Sequence, residues 1–132
     1  MNKLIIFSTG LISFFVSLYL LGNYTLGDYM DYSGAYEAIY DLTYFQAFST
    51  YTGLIGSSEP IHFTVSWIAS NLGLSRIYFI STVNAFLVIA FLILGKKMNG
   101  SLFVLVMVAL SNFYFFALFT ELERLKFAFL FF

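Results

Sequence analysis

The sequence predicts an all-α integral membrane protein, from its composition, its long apolar runs and the placement of its few charges. Of its 132 residues, 61% are hydrophobic and 10% are charged, and the mean hydropathy is +0.89. A water-soluble domain of this length needs far more polar surface. The charges are also unevenly placed, because the stretch from Gly22 to Glu59 holds five acids and no Lys or Arg.

Three runs without a charged residue are long enough to cross a hydrocarbon core of about 30 Å as helices. They cover residues 4–21, 77–95 and 101–120. The first run is alternatively a signal peptide, but no small-residue cleavage site follows it. After Lys126 another apolar run begins and the sequence ends. We therefore expect a truncated fourth span, and a single membrane domain that is the N-terminal fragment of a longer multi-span protein.

The segment 22–76 is predicted to be an external loop that holds two interfacial helices, at about 33–49 and 60–74. The first helix is indicated by aromatic residues at every fourth position: Tyr36, Tyr40, Tyr44 and Phe48. The second helix has an apolar stripe at helical spacing: Ile61, Val65, Ile68 and Leu72. Because its apolar part is too short to span a bilayer, we expect it to lie flat on the outer surface.

The basic residues predict the orientation of the chain in the membrane. If the 60–74 helix does not span, Lys3, Lys96 and Lys97 all lie on the cytoplasmic side, as the positive-inside rule requires. The N-terminus is then cytoplasmic, the loop 22–76 is external, and Arg76 is a minor exception outside.

Carboxylates next to the membrane are the first candidates for chemistry. Asp28 and Asp31 follow the first span, where partial desolvation raises a carboxyl pKa and makes it a better general base. The alternative is that both are solvated loop acids.

Basic groups at the outer end of the third span are the second candidates. Arg124 has the planar fork of donors that binds phosphate, and Lys126 adds a point charge. The alternative is an interface anchor, with Arg124 paired to Glu121 or Glu123. Arginine, acids and tyrosines on one membrane face suit an anionic lipid head group that carries sugars.

Other chemistry is excluded or disfavoured by composition. The net charge of −1 argues against nucleic acid as a partner, and the absence of Cys with only one His leaves no metal site and no cofactor to expect. His62 is more often structural than catalytic in such a setting. Asn84, a polar residue within the second span, is expected to face another helix.

The chain resembles the amino-terminal part of the EpsG family, bacterial polysaccharide polymerases akin to the Wzy O-antigen polymerases. One similar stretch is the acid-and-tyrosine segment Gly27-Asp28-Tyr29-Met30-Asp31-Tyr32 that leads to Tyr36. A second is the stretch from Ser58-Glu59-Pro60 to Leu72-Gly73-Leu74, and a third is Arg124 with Ala128. The sequence departs from the family pattern in three places: Ile61, Leu125 and Lys126.

The resemblance implies a GT-C-like fold in the bacterial cell (inner) membrane and an undecaprenyl-pyrophosphate-linked glycan as substrate. The implied reaction transfers a glycan from one lipid carrier to the sugar end of an acceptor. Arg124 would hold the pyrophosphate, Asp28 or Asp31 would orient or deprotonate the acceptor hydroxyl, and Glu59 would bind sugar or brace the loop. The other expected substrate contacts are Tyr32, Tyr36 and Lys126. The expected partners are membrane lipid and proteins of polysaccharide export or assembly.

Two other functions stay open. One is a small non-enzymatic accessory or assembly protein of an envelope complex. The other is part of a lipid-linked oligosaccharide transporter, which is weaker because few polar residues lie within the spans. If the polymerase interpretation holds, we expect the isolated fragment to be inactive.

Overall fold

The chain is described by a computed structural model that covers residues 2–23, 28–56, 59–112, 115, 117, 120 and 126. Every regular element in these ranges is an α-helix. In chain order the helices are α1 (Asn2–Asn23), α2 (Asp28–Ala38), α3 (Tyr44–Ile55), α4 (Pro60–Asn71), α5 (Arg76–Lys97) and α6 (Leu102–Ser111). The predicted all-helical class is confirmed for the part of the chain described.

Two helices, α1 and α5, are long and apolar enough to cross a membrane. Each has 22 residues, which gives a length of about 33 Å at about 1.5 Å per residue. They match the predicted spans 4–21 and 77–95 with a few residues added at the ends. We call α1 and α5 together the long-helix pair.

The two long helices pack against each other in antiparallel order. Gly10 of α1 lies against Ile89 of α5, so closely that a Cβ on Gly10 would fall 2.6 Å from the Ile89 side chain. Further along α1, Ser17 accepts a hydrogen bond from the Asn84 amide at 2.7 Å. The expectation that Asn84 faces another helix is confirmed.

Within the third predicted span, 101–120, the structure describes a continuous helix over α6, which has ten residues, and single helical residues at positions 115, 117 and 120. Asn112 follows in an extended conformation, with φ −82° and ψ 126°. Most of the remainder of this span, and the expected fourth span, lie outside the described residues. A tight turn joins α5 to α6, with Asn99 at φ 62° and Gly100 N–H donating to the Gly95 carbonyl at 2.9 Å.

The predicted interfacial helix 33–49 is wrong, because the chain forms two helices there. The break lies between Ala38 and Tyr44, where Asp41 has φ 58°, a left-handed conformation that Asp tolerates. Both the Thr43 N–H and its hydroxyl donate to Gln46 Oε1, which fixes the start of α3 as in a capping box. The second of these helices, α3, continues past position 49 to Ile55.

The predicted helix 60–74 corresponds to α4, which ends at Asn71. Pro60 occupies its first turn, where the missing N–H is tolerated. At its end Gly73 has φ 72° and donates to the Ser70 carbonyl, while Leu74 N–H donates to the Ala69 carbonyl. This Schellman turn leads directly into α5.

Helices α2, α3 and α4 pack together into what we call the three-helix unit. Its core is mostly aromatic and is centred on the fully buried Phe63, with Tyr32, Ala35, Ile39, Ala47 and Tyr51 around it. A second cluster joins the unit to the long-helix pair through Tyr36, Ala69 and Phe79. The unit therefore lies at the end of the pair where α1 ends and α5 begins.

Candidate functional site

The candidate site is an open groove between the C-terminal ends of α2 and α4. It has a volume of about 450 Å³ and is lined by Tyr36, Glu37, Tyr40, Ser70, Gly73 and Leu74. Such a volume falls within the range of small-ligand pockets. Ionisable and aromatic side chains of the three-helix unit, those of Glu37, Tyr36 and Tyr40, line this open space.

Tyr36 forms the inner wall of the groove and is fixed by two polar contacts. Its hydroxyl donates to the Leu74 carbonyl at 2.9 Å, and its own carbonyl accepts from the Ser70 hydroxyl at 3.1 Å. Its ring stacks on Phe79 of α5, with ring centroids 5.9 Å apart. These contacts hold the end of α2 against the α4–α5 turn.

Burial controls the protonation of this tyrosine. Removal from water raises the pKa of Tyr36 to about 12, while the nearby Arg76 charge acts in the opposite direction. At neutral pH the hydroxyl is therefore a hydrogen-bond donor and not a base.

The outer wall is formed by exposed groups. Glu37 presents its carboxylate to the surface, and the Tyr40 side chain is 59% exposed. A carboxylate can accept hydrogen bonds from hydroxyl groups, and an exposed tyrosine ring offers a flat face for stacking. The outer wall therefore offers a hydrogen-bond acceptor and an aromatic face to a polar ligand.

Arg76 is the first residue of α5 and is buried, with only 7% of its surface exposed. It is close enough to Tyr36 for its charge to act on the tyrosine pKa. A buried guanidinium at the first turn of α5 places positive charge beside the inner wall.

The turn between α2 and α3 is tied to α4 by side chains. Trp67 Nε1 donates to the Leu42 carbonyl at 3.0 Å, and the Asp41 N–H donates to Asn71 Oδ1 at 3.2 Å. These two bonds replace helix hydrogen bonds that the turn lacks, so they also position Tyr40 at the groove edge.

The predicted site residues fall in several places. Asp31 is exposed on α2, Tyr32 and Tyr36 are buried in different clusters, and Glu59 is the half-buried N-cap residue of α4. Of these four residues, Tyr36 lines the groove.

The remaining predicted residues are only partly described. Asp28 begins α2, but its side chain lies outside the described residues, and so does Arg124. Lys126 is described and is fully buried. The predicted meeting of Asp28, Asp31 and Arg124 therefore stays a prediction.

His62 has the structural setting that the sequence favoured. It is buried, its Nδ1 is hydrogen-bonded to the Tyr51 hydroxyl, and the Tyr32 ring meets it edge-on at 5.2 Å. These contacts join all three helices of the unit.

Sequence reasoning missed Glu37, Tyr40, Ser70, Gly73 and Arg76 as site residues. A usable signal was present, because Gly73 after an apolar helix indicates a C-terminal turn, and such a turn brings the neighbouring backbone to the surface. The pairing of that turn with the end of α2 had no signal in the sequence.

Within the described residues, no group of three or more His, Asp or Glu side chains is arranged to hold a metal ion. Comparison with protein-family models, curated proteins and solved structures found no match to this chain.

Proposed function

We propose that this chain is an integral membrane protein that binds a lipid-pyrophosphate-linked glycan and belongs to a polysaccharide polymerase of the bacterial cell membrane. The observation that carries the proposal is the groove of Tyr36, Glu37 and Tyr40, situated where the three-helix unit meets the end of the long-helix pair. A substrate with sugars on a membrane-bound lipid would present its head group at this level.

Membrane insertion is supported by which side chains the long-helix pair buries. In α1 the buried side chains include Thr9, Ser13 and Ser17, and in α5 they include Ser81 and Asn84. The exposed ones are large and apolar, among them Leu4, Phe7, Leu11, Phe15, Phe86, Ile93 and Leu94. Water would favour the reverse distribution, whereas lipid accepts apolar side chains outside and small or polar ones between helices.

The charges at the two ends support the proposed orientation. Because α1 and α5 are antiparallel, Lys3 lies at the same end as Lys96 and Lys97. The opposite end carries the three-helix unit, whose described acids are Asp31, Glu37, Asp41 and Glu59. The positive-inside rule then puts the lysines in the cytoplasm and the groove outside.

In the proposed reaction the free hydroxyl of an acceptor glycan attacks the anomeric carbon of a donor glycan, and undecaprenyl pyrophosphate leaves. Glu37 and the Tyr40 ring hold a sugar in the groove, and Glu59 gives further sugar contact. Asp28 or Asp31 orients or deprotonates the acceptor hydroxyl, while Arg124 neutralises the pyrophosphate. The residues assigned to proton transfer and to phosphate binding rest on the resemblance to the EpsG family.

Polymer analysis in the native host tests the chemistry. Arg124→Lys and Glu37→Gln should each shorten or abolish the polymer while the protein still accumulates in the membrane. Thr52→Ser is the matched control, because it keeps the hydroxyl that bonds the Phe48 carbonyl and lies outside the groove. Normal polymer length with Arg124→Lys would remove this residue from the mechanism.

Cysteine labelling tests the orientation, since the chain has no native Cys. Single cysteines at Thr50, Lys97 and Glu121 are treated with a membrane-impermeant maleimide on intact cells. We expect reaction at Thr50 and Glu121 only. Reaction at Lys97 without reaction at Thr50 would overturn the orientation.

A second candidate function is a non-enzymatic accessory or assembly protein of an envelope complex. It is favoured by the many polar groups of the three-helix unit that are committed to internal bonds, such as those of Tyr36, Trp67 and Ser70. In that case Arg124→Lys and Glu37→Gln leave polymer length unchanged, and deletion of the gene changes complex assembly instead.

A further inference from the structure

One end of the long-helix pair, which we call the lysine end, carries positive charge without a described acid near it. Lys3 lies in the first turn of α1, Lys96 and Lys97 lie in the last turn of α5, and all three side chains are exposed. The sequences of α1, α5 and α6 contain no Asp or Glu. The described acids belong to the three-helix unit, at the opposite end of helices that are about 33 Å long.

The lysines of the two helices lie at the same level. Ile6 of α1 packs against the cluster that contains the fully buried Leu92 of α5. Lys3 comes three residues before Ile6, and Lys96 comes four residues after Leu92. Because the helices are antiparallel, each lysine lies one turn beyond this contact in the same direction. Lys3 and Lys96 therefore project from neighbouring helices at the same end of the pair.

The helix dipoles account for two of these lysines but not for the third. Lys96 and Lys97 lie at the C-terminus of α5, where a cation is favourable. Lys3 lies at the N-terminus of α1, which is the positive end of that helix dipole. Helix α6 also begins at the lysine end, and neither α1 nor α6 has an acid in its first turn. An anion bound at this end would offset the lysine charges and the two N-termini together.

Exposed apolar side chains lie beside the lysines. Phe7 comes one turn after Lys3 on α1, Ile93 comes one turn before Lys97 on α5, and both are exposed. A soluble anion gains nothing from such neighbours. A phospholipid, in contrast, can place its phosphate against the lysines while its acyl chains cover Phe7 and Ile93. The surroundings of the lysines therefore favour an anion that carries acyl chains.

We propose that the lysine end binds the head group of an anionic phospholipid, with its phosphate held between Lys3 of α1 and Lys96 or Lys97 of α5. In the orientation proposed above this lipid belongs to the cytoplasmic leaflet, on the opposite side of the membrane from the groove. Because the lipid contacts both helices, it stabilises the long-helix pair. The inference rests on membrane insertion, which is part of the proposed function, and not on the polymerase chemistry.

Native mass spectrometry of the full chain, released from a neutral detergent, measures this binding. Phosphatidylglycerol, which is anionic, is compared with phosphatidylcholine, which has the same phosphate but no net charge. We expect several-fold tighter binding of phosphatidylglycerol. A lysine near an anionic lipid surface contributes a factor of about five, so Lys3→Gln and the double variant Lys96→Gln/Lys97→Gln should each reduce the preference by at least this factor. Lys3→Arg is the matched control, because it keeps the charge and should retain the preference.

Three outcomes would overturn the inference. If Lys3→Gln keeps the full preference for phosphatidylglycerol, the lysine end is not the binding site, and membrane insertion still stands. If millimolar inorganic phosphate displaces the lipid, the site takes a soluble anion instead. If the chain binds neither lipid and does not associate with vesicles, membrane insertion fails, and the proposed function fails with it. Normal polymer length with Arg124→Lys would count against the polymerase chemistry alone.

The unsubstituted chain gives a second measurement that needs no variant. Its thermal unfolding in micelles should shift to higher temperature when phosphatidylglycerol is added, because a ligand that binds the folded state stabilises it. Phosphatidylcholine should give a smaller shift. Raising the ionic strength from about 0.1 M to about 1 M shortens the screening length from about 10 Å to about 3 Å and should remove the difference between the two lipids. A difference that persists in high salt, or equal shifts with both lipids in low salt, would contradict the proposal even if the lysine variants fail to fold.

Discussion

The long-helix pair and the three-helix unit bury polar side chains in different ways. In the pair, Ser13 donates to the Thr9 carbonyl of its own helix, and Asn84 donates to the Ser17 side chain. In the unit, polar side chains donate to backbone carbonyls far away in sequence, as Tyr36 does to Leu74 and Trp67 to Leu42. The long-helix pair is therefore held together by close packing of two regular helices. The turns of the three-helix unit are held instead by individual hydrogen bonds from side-chain donors.

This difference explains why the candidate site lies in the unit. A groove needs backbone and side chains held in irregular positions, and each such position needs a hydrogen-bond partner. The Ser70 and Tyr36 bonds supply them at the groove wall. Four predictions examine the comparison, from the largest expected effect to the smallest.

Phe63→Ala should have the largest effect. Phe63 is fully buried and its ring meets those of Tyr44, Phe48 and Tyr51 at 5.0–5.4 Å. Loss of a buried Phe side chain lowers the free energy of unfolding by about 3–5 kcal/mol. Limited proteolysis in detergent should show new cleavage between α2 and α4, while α1 and α5 stay protected.

Phe45→Ala is the matched control for this substitution, because Phe45 is an exposed aromatic residue of the same unit. It should leave the cleavage pattern in detergent unchanged. Equal sensitivity of both variants would mean that the unit has no core of its own.

Gly10→Val should destabilise the pair through overpacking. A Cβ at this position lies 2.6 Å from Ile89, so either the side chain or the helix must move. Overpacking of this kind lowers the free energy of unfolding by about 1–3 kcal/mol. Thermal unfolding in micelles measures the change.

Two further variants give this prediction its controls. Ile89→Ala in the Gly10→Val background should restore part of the lost stability, because it removes the atoms that clash. Gly22→Val should have a smaller effect, since no neighbouring atom lies within 4 Å of a Cβ there. Failure of Ile89→Ala to restore stability would show that the two helices are not in contact at Gly10.

Much of this fold was predictable because hydropathy and the spacing of charges report directly on long helices. The bounds of α1 and α5 and the inward position of Asn84 followed from these signals. The break after α2 did not, although Thr43 and Gln46 have the spacing of a capping box. The aromatic repeat across Tyr36, Tyr40 and Tyr44 matched a continuous helix, and the bonds from Trp67 and Asn71 that stabilise the turn come from a distant helix.

The groove was less predictable than the helices. Tyr36 was expected from the resemblance, but Glu37 and Tyr40 become site residues only because the α4–α5 turn packs beside them. Such packing between residues more than 30 positions apart leaves no local pattern in a single sequence.

Tyr36→Phe should change how stability depends on alkaline pH. The unfolded chain loses the tyrosine proton near the usual pKa of 10.0, whereas the folded chain keeps it until about 12. Between these pH values the unfolded state binds fewer protons, so folding stability falls as pH rises. The slope of the free energy of unfolding from pH 10 to 12 should be shallower in Tyr36→Phe than in the unsubstituted chain.

Phe45→Leu is the control, since Phe45 is an exposed residue of the same unit and has no titratable group. It should retain the slope of the unsubstituted chain. If the free energy of unfolding has the same pH slope in all three proteins, Tyr36 is exposed to water. The inner wall of the groove is then not closed by this side chain.

The smallest expected effect concerns the polar contact inside the pair. A double-mutant cycle of Ser17→Ala and Asn84→Ala should give a coupling energy of about 0.6 kcal/mol, the typical value for hydrogen bonds between helices in a membrane. In the proposed membrane setting the value is small, because Asn84 finds other partners when the two helices separate within a bilayer. A coupling energy near zero would mean that close packing at Gly10 is the main attraction between the two helices. A coupling energy as large as the destabilisation by Gly10→Val would mean that the pair depends on individual hydrogen bonds, as the three-helix unit does.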